Sequence, residues 1–469
     1  MISINILPDD VLLEIFHFHL DEVSNGHDHE KEAMEGWQSL VHVCRRWRSV
    51  VFGSPRRLDL RLLCTANTAA RDTVDVWPAL PLVIQGLYCR TRSMDNIIAL
   101  LERSDLVGRI SRINLWNVSS SQLEGIWEAM QVPFPELTDL VLFHDDEMEP
   151  VVPLSDSFLG SSAPRLRSLN LYDVPYPGLP KLLVSATHLT NLHLTCIPHS
   201  GNFSAEAMVA CLSTLTSLER LSLGFRYYQP RSDQESQRLL PPISIVLPVL
   251  GHFWFKGVGE YLEDLVARID APRLNFLEIT LFNDIVFDTP QLTRFISHTP
   301  MSEAFDVASV ALLDATASIT LSSAYGDFSE RLKVEISCGE LDWQLSFLEQ
   351  VCTSSLPPVS TLEDLYMRGR QWPQDWKDNI DYAQWLEMLH SFTAVKNLYL
   401  SKELAPCVVP ALQDLVGGRS TEVFPSLQNI FLEELQESGP VQEGIKKFVA
   451  ARQVISHPIT VSRWDRASN

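Results

Sequence analysis

One short pattern constrains the fold of this 469-residue chain more than any other feature. An apolar residue is followed by two more, at the third and fifth positions after it. The pattern reads Ile110, Ile113, Leu115; Leu137, Leu140, Leu142; Leu166, Leu169, Leu171; Leu189, Leu192, Leu194; and Leu218, Leu221, Leu223. It continues at Leu250, Phe253, Phe255; Leu274, Leu277, Ile279; Leu362, Leu365, Met367; Val395, Leu398, Leu400; and Leu427, Ile430, Leu432, with a weaker copy at Phe305, Ala308, Val310. Side chains alternate between the two faces of a strand, so the +3 and +5 residues share one face. Spacings from 110 to 305 are 27, 29, 23, 29, 32, 24 and 31 residues, and after 362 they are 33 and 32. Between copies the apolar period becomes helical, as in SQLEGIWEAM (121–130), AEAMVACLSTL (205–215), GEYLEDLVARI (259–269), PQLTRFISH (290–298), DYAQWLEMLHSF (381–392) and VVPALQDLV (408–416). Recurrence at this spacing, uneven but persistent, with a strand then a return helix, marks a repeat array.

L-x-x-L-x-L at this spacing resembles the leucine-rich repeat, in an irregular form. The resemblance implies an α/β solenoid with a parallel sheet on its concave side and helices on its convex side. Proline often precedes the strand, in FPELTDL, APRLRSL, APRLNFL and FPSLQNI, where it sets the entering loop without disturbing a ladder. Residues 311–353 depart from the pattern: ASITLSS and RLKVEISCG read as strands and DWQLSFLEQV as a helix. The 57-residue gap between 305 and 362 leaves room for a degenerate repeat with a hairpin. The repeats are expected over 110–438, with 59–109 transitional, LPLVIQGLYC (80–89) an irregular first strand, and 439–469 a capping helix, a short strand PITVSRW and a tail.

If +3 and +5 face the core, then +2, +4 and +6 face the concave side. Large aromatics stand there: Trp116, Phe143 and Tyr172 at +6, and Trp254, Tyr366, Tyr399 and Phe431 at +4. Rigid, exposed aromatics are the residues that dominate binding hot spots, so these seven are the candidate substrate-binding residues. The alternative is a sheet face covered by loops or neighbouring strands, since aromatics also favour strands for packing. Arg112, Arg220, Arg368 and Glu433 lie among them and would set specificity.

Ahead of the repeats stands ILPDDVLLEIFHFHL (6–20). Pro8 suits a first helical turn, and Asp9 and Asp10 complement its dipole. Val11, Leu12, Leu13, Ile15, Phe16, Phe18 and Leu20 cover most of the circumference, more than the stripe of about 100° that one neighbour requires. The polar stretch 21–36 reads as a loop, its His27, His29 and Glu30 included. Trp37, Leu40, Val41 and Cys44 are helically spaced; Trp47, Val50 and Val51 continue the stripe until Gly53 and Pro55. Three short helices in some 50 residues are too few for a core of their own.

These residues, LPDDVLLEIF…W..L..VCRRWRSVV…PRRLDL over 4–58, resemble the F-box, a three-helix module that docks on the Skp-type adaptor of cullin-based SCF ubiquitin ligases. Leu7 and Pro8 match its Leu-Pro, Leu12, Ile15 and Phe16 its first helix, and Val43, Trp47, Val50 and Val51 its V-C-R-x-W-R-x-V helix. The long acidic loop departs from the family pattern. The resemblance implies an F-box over 1–58 whose adaptor-binding residues are Leu7, Pro8, Leu12, Ile15, Phe16, Trp37, Leu40, Val43, Trp47, Val50 and Val51. It also implies a cullin reached through the adaptor, and a protein target held by the repeats. Surplus apolar surface on the first helix then becomes an interface that a partner buries. The alternatives are a leucine-rich-repeat scaffold whose F-box is vestigial or serves a non-ligase complex, and a first helix packed wholly on its own chain.

The remaining composition mostly excludes. Lys plus Arg is 37 and Asp plus Glu 59, a net charge of −22 that opposes nucleic-acid binding. The eight cysteines show no C-x-x-C or zinc spacing and read as buried reduced thiols. MISINILPDD lacks a basic n-region, and no apolar run reaches the ~20 residues of a membrane span, so a cytoplasmic or nuclear location is expected. G-x-S-x-G, H-E-x-x-H, P-loop and G-x-G-x-x-G motifs are lacking; GVGEYLEDL (257–265) has no third glycine, and HDDEME (144–149) reads as a solvated loop. His193 and His298 read as structural. No catalytic residue, metal or cofactor is expected.

Overall fold

The computed structural model describes residues 6–24, 30–65, 74–86, 91–144, 153–176, 179–198, 201–226, 244–282, 289–303, 305–323, 331–338, 340–355, 359–369, 382–413, 415, 421–433 and 439–465. They fall into two compact units, 1–203 and 204–469.

The first unit begins with α1 (Asp9–Ser24), α2 (Glu30–Val43) and α3 (Arg45–Gly53). The stretch expected as a loop over 21–36 is largely helical: α1 runs on to Ser24 and α2 starts at Glu30. Glu, Lys, Ala and Met in EKEAME are good helix formers, and their polarity masked that propensity. Cys44, expected on a continuous stripe, instead breaks the helix. It is extended (φ −159°, ψ 169°), and its Sγ accepts the Trp47 N–H at 3.4 Å as the N-cap of α3.

Beyond the helices come β1 (Leu62–Thr65), β2 (Leu82–Gly86), α4 (Thr91–Leu101), β3 (Ile110–Val118), α5 (Ser120–Ala129), β4 (Asp139–His144), β5 (Ser168–Tyr172), α6 (Leu179–Ser185) and β6 (Asn191–Ile197). All six strands are parallel and adjacent in chain order. Residues 59–109, read as transitional, thus supply two strands and a helix to the array. The first strand is 62–65, ahead of the one expected at 80–89. β1 does not carry the full apolar triplet, so the motif did not find it.

The second unit holds α7 (Ala205–Leu212), β7 (Arg220–Phe225), β8 (Ile245–Val246), β9 (His252–Gly257), α8 (Gly259–Val266), β10 (Ile269–Asp270), β11 (Phe276–Phe282) and α9 (Pro290–Ser297). Then come β12 (Val307–Leu312), β13 (Thr316–Ser322), β14 (Leu332–Ser337), α10 (Leu341–Gln350), β15 (Asp364–Gly369), α11 (Tyr382–His390) and β16 (Asn397–Leu400). The unit closes with α12 (Ala405–Gln413), β17 (Asn429–Leu432), α13 (Pro440–Val454) and β18 (Thr460–Arg463). Its main sheet runs β7-β9-β11-β14-β13-β12-β15-β16-β17-β18, while β8 and β10 form a separate pair. The irregular segment is the hairpin expected there, but its order is inverted. β14, not β12, lies beside β11; β13 is antiparallel to both neighbours; β12 rejoins the parallel run at β15.

Every residue of the apolar triplets is buried, from Ile110 to Leu432. The turn ahead of five of these strands has one form. The N–H of the first triplet residue donates to the carbonyl three residues back, at Leu137→Phe134, Leu166→Ala163, Leu250→Leu247, Leu274→Ala271 and Leu427→Phe424. In all five, proline is the second residue of the turn, where its fixed φ is already correct. Arg452 of α13 is buried and donates from Nη2 to the Phe424 carbonyl at 2.9 Å, tying the last helix to the last such turn. Gly444 lets α13 approach α12 closely, since a Cβ there would lie 2.4 Å from a Val409 methyl.

Leu169→Ala, at a fully buried +3 position, should destabilise the chain by about 3 kcal/mol, lowering the urea midpoint. Ser168→Ala, one residue away on the half-exposed row, should shift it by under about 0.5 kcal/mol.

Candidate functional site

The helical module divides the predicted adaptor-binding residues in two. Leu12, Phe16, Trp37, Leu40, Val50 and Val51 are buried and hold the module together, so they present no docking surface of their own. The Phe16 and Trp47 rings pack 4.7 Å apart. Trp37 donates its indole N–H to the Arg61 carbonyl at 2.9 Å and meets Trp77 edge-on at 5.1 Å. Trp77, which also packs on Phe52 and His42, ties the chain ahead of β2 to the module, and sequence reasoning missed it.

The other predicted residues reach the surface: Pro8, Ile15 and Val43 are exposed, and Leu7 and Trp47 half-exposed. Val11 (42%), Ile15 (40%) and Phe18 (72%) form an exposed stripe at i, i+4 and i+7 on α1, with Ile6 (74%) and Val43 (59%) also exposed. Arg46 fixes this stripe in place. Its guanidinium pairs with Asp9 at 2.6 Å and donates to the Leu7 carbonyl, joining α3 to the first turn of α1. Arg57 adds an ion pair to Glu14.

The sheet-face aromatics assemble into two ladders and one isolated residue. In the first unit Trp116 stacks on Phe143 (4.9 Å, 22°) and Phe143 on Tyr172 (3.8 Å, 8°). In the second unit Tyr366 stacks on Tyr399 (4.1 Å, 8°) and Tyr399 on Phe431 (4.5 Å, 9°). Parallel register with one repeat per strand brings equal positions together at strand spacing. Trp254 joins neither ladder; its register neighbours are Ser222 and Glu278. Beside it Lys333 pairs with Glu278 (3.0 Å) and Glu335 (3.2 Å). Burial opposes the ammonium charge there, but the two carboxylates outweigh it and raise its pKa.

All seven aromatics are half-buried. The second ladder is partly covered by the chain itself: the Trp464 indole lies edge-on to Tyr366 (5.8 Å) and Tyr399 (5.7 Å). Burial, then the neighbouring Tyr366 hydroxyl, push the Tyr399 phenol above its ordinary pKa. One row over, a polar ladder runs alongside: Asn397 donates to Asp364 (2.6 Å), Asn429 to Asn397 (2.7 Å), and Thr460 to Asn429. Alternation from Thr460 through Ser462 places Trp464 on the ladder face, a signal present in the sequence but not used.

A further cluster was missed. His144 Nδ1 bonds the Asp173 carboxylate at 2.9 Å, and Nε2 bonds the Ser120 hydroxyl at 3.1 Å. The order Ser–His–Asp is that of a hydrolase triad. Here His144 is 0% and Asp173 3% exposed, so no substrate reaches them. Both stand seven residues after a repeat start, and Asp173 sits at φ 55°, where the strand turns away. The cluster clasps adjacent repeats and the start of α5. HDDEME, read as a solvated loop, lies outside the described residues beyond His144, as do His27 and His29.

Among the described residues no group of three metal-ligating side chains occurs, and no helix is long and apolar enough to cross a membrane. The seven described cysteines are free thiols; burial pushes Cys64 and Cys211 up to about 11 and Cys352 to about 12. An apolar hollow lined by Leu171, Tyr176, Leu194 and Phe203 has a volume of about 10 Å³, room for about one water.

No family model matches the chain. No curated protein matches it. Among solved structures it is similar to the chain in a TLR13–ssRNA13 complex (14% identity, TM-score 0.34), covering 85% of this chain and 48% of that one. It is also similar to the leucine-rich repeat-containing protein LegL7 from Legionella pneumophila (13% identity, TM-score 0.27), covering 83% and 96%. This chain therefore spans about half the length of the first. The class rests on the chain's own register and burial: a leucine-rich-repeat-like α/β array in which strands and return helices alternate.

His144→Ala should remove the imidazole bonds to buried Asp173 and Ser120 and open a cavity between them, destabilising the chain by about 2–4 kcal/mol, read as a lower urea midpoint. His252, packed 5.6 Å from Phe276, is held below its usual pKa by burial and then by Arg220. The folded state then binds fewer protons than the unfolded one, so stability is full above about pH 6.5 and falls as pH drops below it. His252→Asn should shrink the difference between urea midpoints at pH 7.5 and 5.5.

Proposed function

We propose that the chain is the substrate-recognition subunit of an SCF-type ubiquitin ligase, its N-terminal module docking a Skp-type adaptor and its repeats holding a protein target. The observation that carries this reading is the exposed apolar stripe of Val11, Ile15 and Phe18, in a module that opens with Leu7-Pro8 and continues as V-C-R-R-W-R. A contiguous apolar surface of this kind marks an interaction site. Burying it would contribute about 25 cal/mol per Å² before association costs. The aromatic ladders supply the target-binding half, with stacked rings half-exposed on rigid strands.

On this reading the chain performs no bond-breaking step. It raises the effective concentration of target near the transferring enzyme. The cullin is reached through the adaptor, and neither nucleic acid nor membrane takes part.

Ile15→Asp and Val43→Asp remove exposed apolar groups and should leave thermal unfolding within about 2 °C of the parent. Co-expressed with a Skp-type adaptor, the parent should co-purify with it and the Ile15→Asp chain should lose it at least tenfold. Equal recovery of adaptor by both, or none by the parent, would replace this reading with the broader one, a repeat scaffold outside the ligase.

A further inference from the structure

Residues 459–464 are held at the sheet edge by main-chain bonds, among them Thr460 N–H to the Gln428 carbonyl (2.9 Å) and Trp464 N–H to the Leu432 carbonyl (2.7 Å), and by few side chains. β18 is a four-residue edge strand, parallel to β17, and Thr460, Ser462 and Arg463 are exposed. Ile459 and Trp464 alone are buried. Two side-chain contacts continue rows that begin on other strands. Thr460 adds a rung to the Asp364–Asn397–Asn429 ladder. The Trp464 side chain reaches past β17 and lies against the rings of Tyr366 and Tyr399, with the Arg368 guanidinium 5.9 Å from its ring.

This is how a bound peptide is recognised by strand addition: main-chain bonds to a sheet edge, with one anchoring side chain in a side pocket. The fit is imperfect. The indole N–H of Trp464 is buried with no acceptor among the described residues, so one of its bonding groups is left unmade.

We propose that the β17 edge, with the Tyr366–Tyr399 rings, is a docking site for an extended partner segment. The segment adds as a parallel strand and lays an aromatic side chain over the two rings. Residues 459–464 fill this site in cis and must leave before a partner enters. A tethered occupant acts at an effective concentration in the millimolar range, so the closed chain resists weak competitors and yields to a segment that binds better. The site does not depend on adaptor docking, because its test uses the chain alone.

The test is fluorescence anisotropy with a labelled peptide of residues 456–465, SHPITVSRWD, added to full-length chains without adaptor. The W464A chain should bind the peptide saturably and at least tenfold more tightly than the parent chain. Adding Y399S to W464A, or replacing the peptide's tryptophan by alanine, should remove binding. Hydrogen exchange of the parent chain should show 459–464 opening well before 430–432. The proposal is overturned if folded W464A binds no better than the parent, or if Y399S leaves binding intact. It is equally overturned if W464A fails to fold, or if 459–464 exchange only with global unfolding, because the indole is then core.

Discussion

The constraint on which everything else depends is the burial of two alternate residues on each strand against return helices. Once Leu140 and Leu142 face the interior, Asp139, Val141 and Phe143 must face the other way. Parallel pairing without offset then places Phe143 beside Tyr172 and Tyr399 beside Phe431. The ladders are therefore consequences of core formation, and their rings are held by a scaffold that no ligand needs to order. That rigidity is what lets an aromatic contribute to binding without losing much rotamer freedom.

Much of this was legible because the signals were local and repeated. Eleven triplets located eleven strands, and a switch of period located six of the return helices, though not α6. The seven sheet-face aromatics followed from counting along a strand, and six of them pair as the count implies. What escaped required knowledge of partners far along the chain. β1 lacks the triplet and is defined by the strand it pairs with. The inverted order of β12 to β14 depends on which edge a hairpin chooses, a long-range decision that periodicity does not record.

The N-terminal module shows the same division. Its helices were readable from apolar spacing, but spacing does not tell an inward residue from an outward one on a helix that is apolar nearly all round. Leu12 and Phe16 turn in; Val11, Ile15 and Phe18 turn out. The clasp of His144, Asp173 and Ser120 was hidden for a different reason. Its three members lie in separate repeats, and only the turn geometry at the strand ends brings them together.

The inverted segment between β11 and β15 carries a consequence for how such an array changes length. Two direction reversals restore the original polarity, so β14 and β12 both run with the flanking strands although β13 opposes them. Parity is the rule: material entering as hairpin pairs leaves the strands on either side pointing as before, while one unpaired reversal would turn every later repeat upside down. Growth in even steps thus lets one stretch of the sheet diverge while the strands flanking it keep their direction.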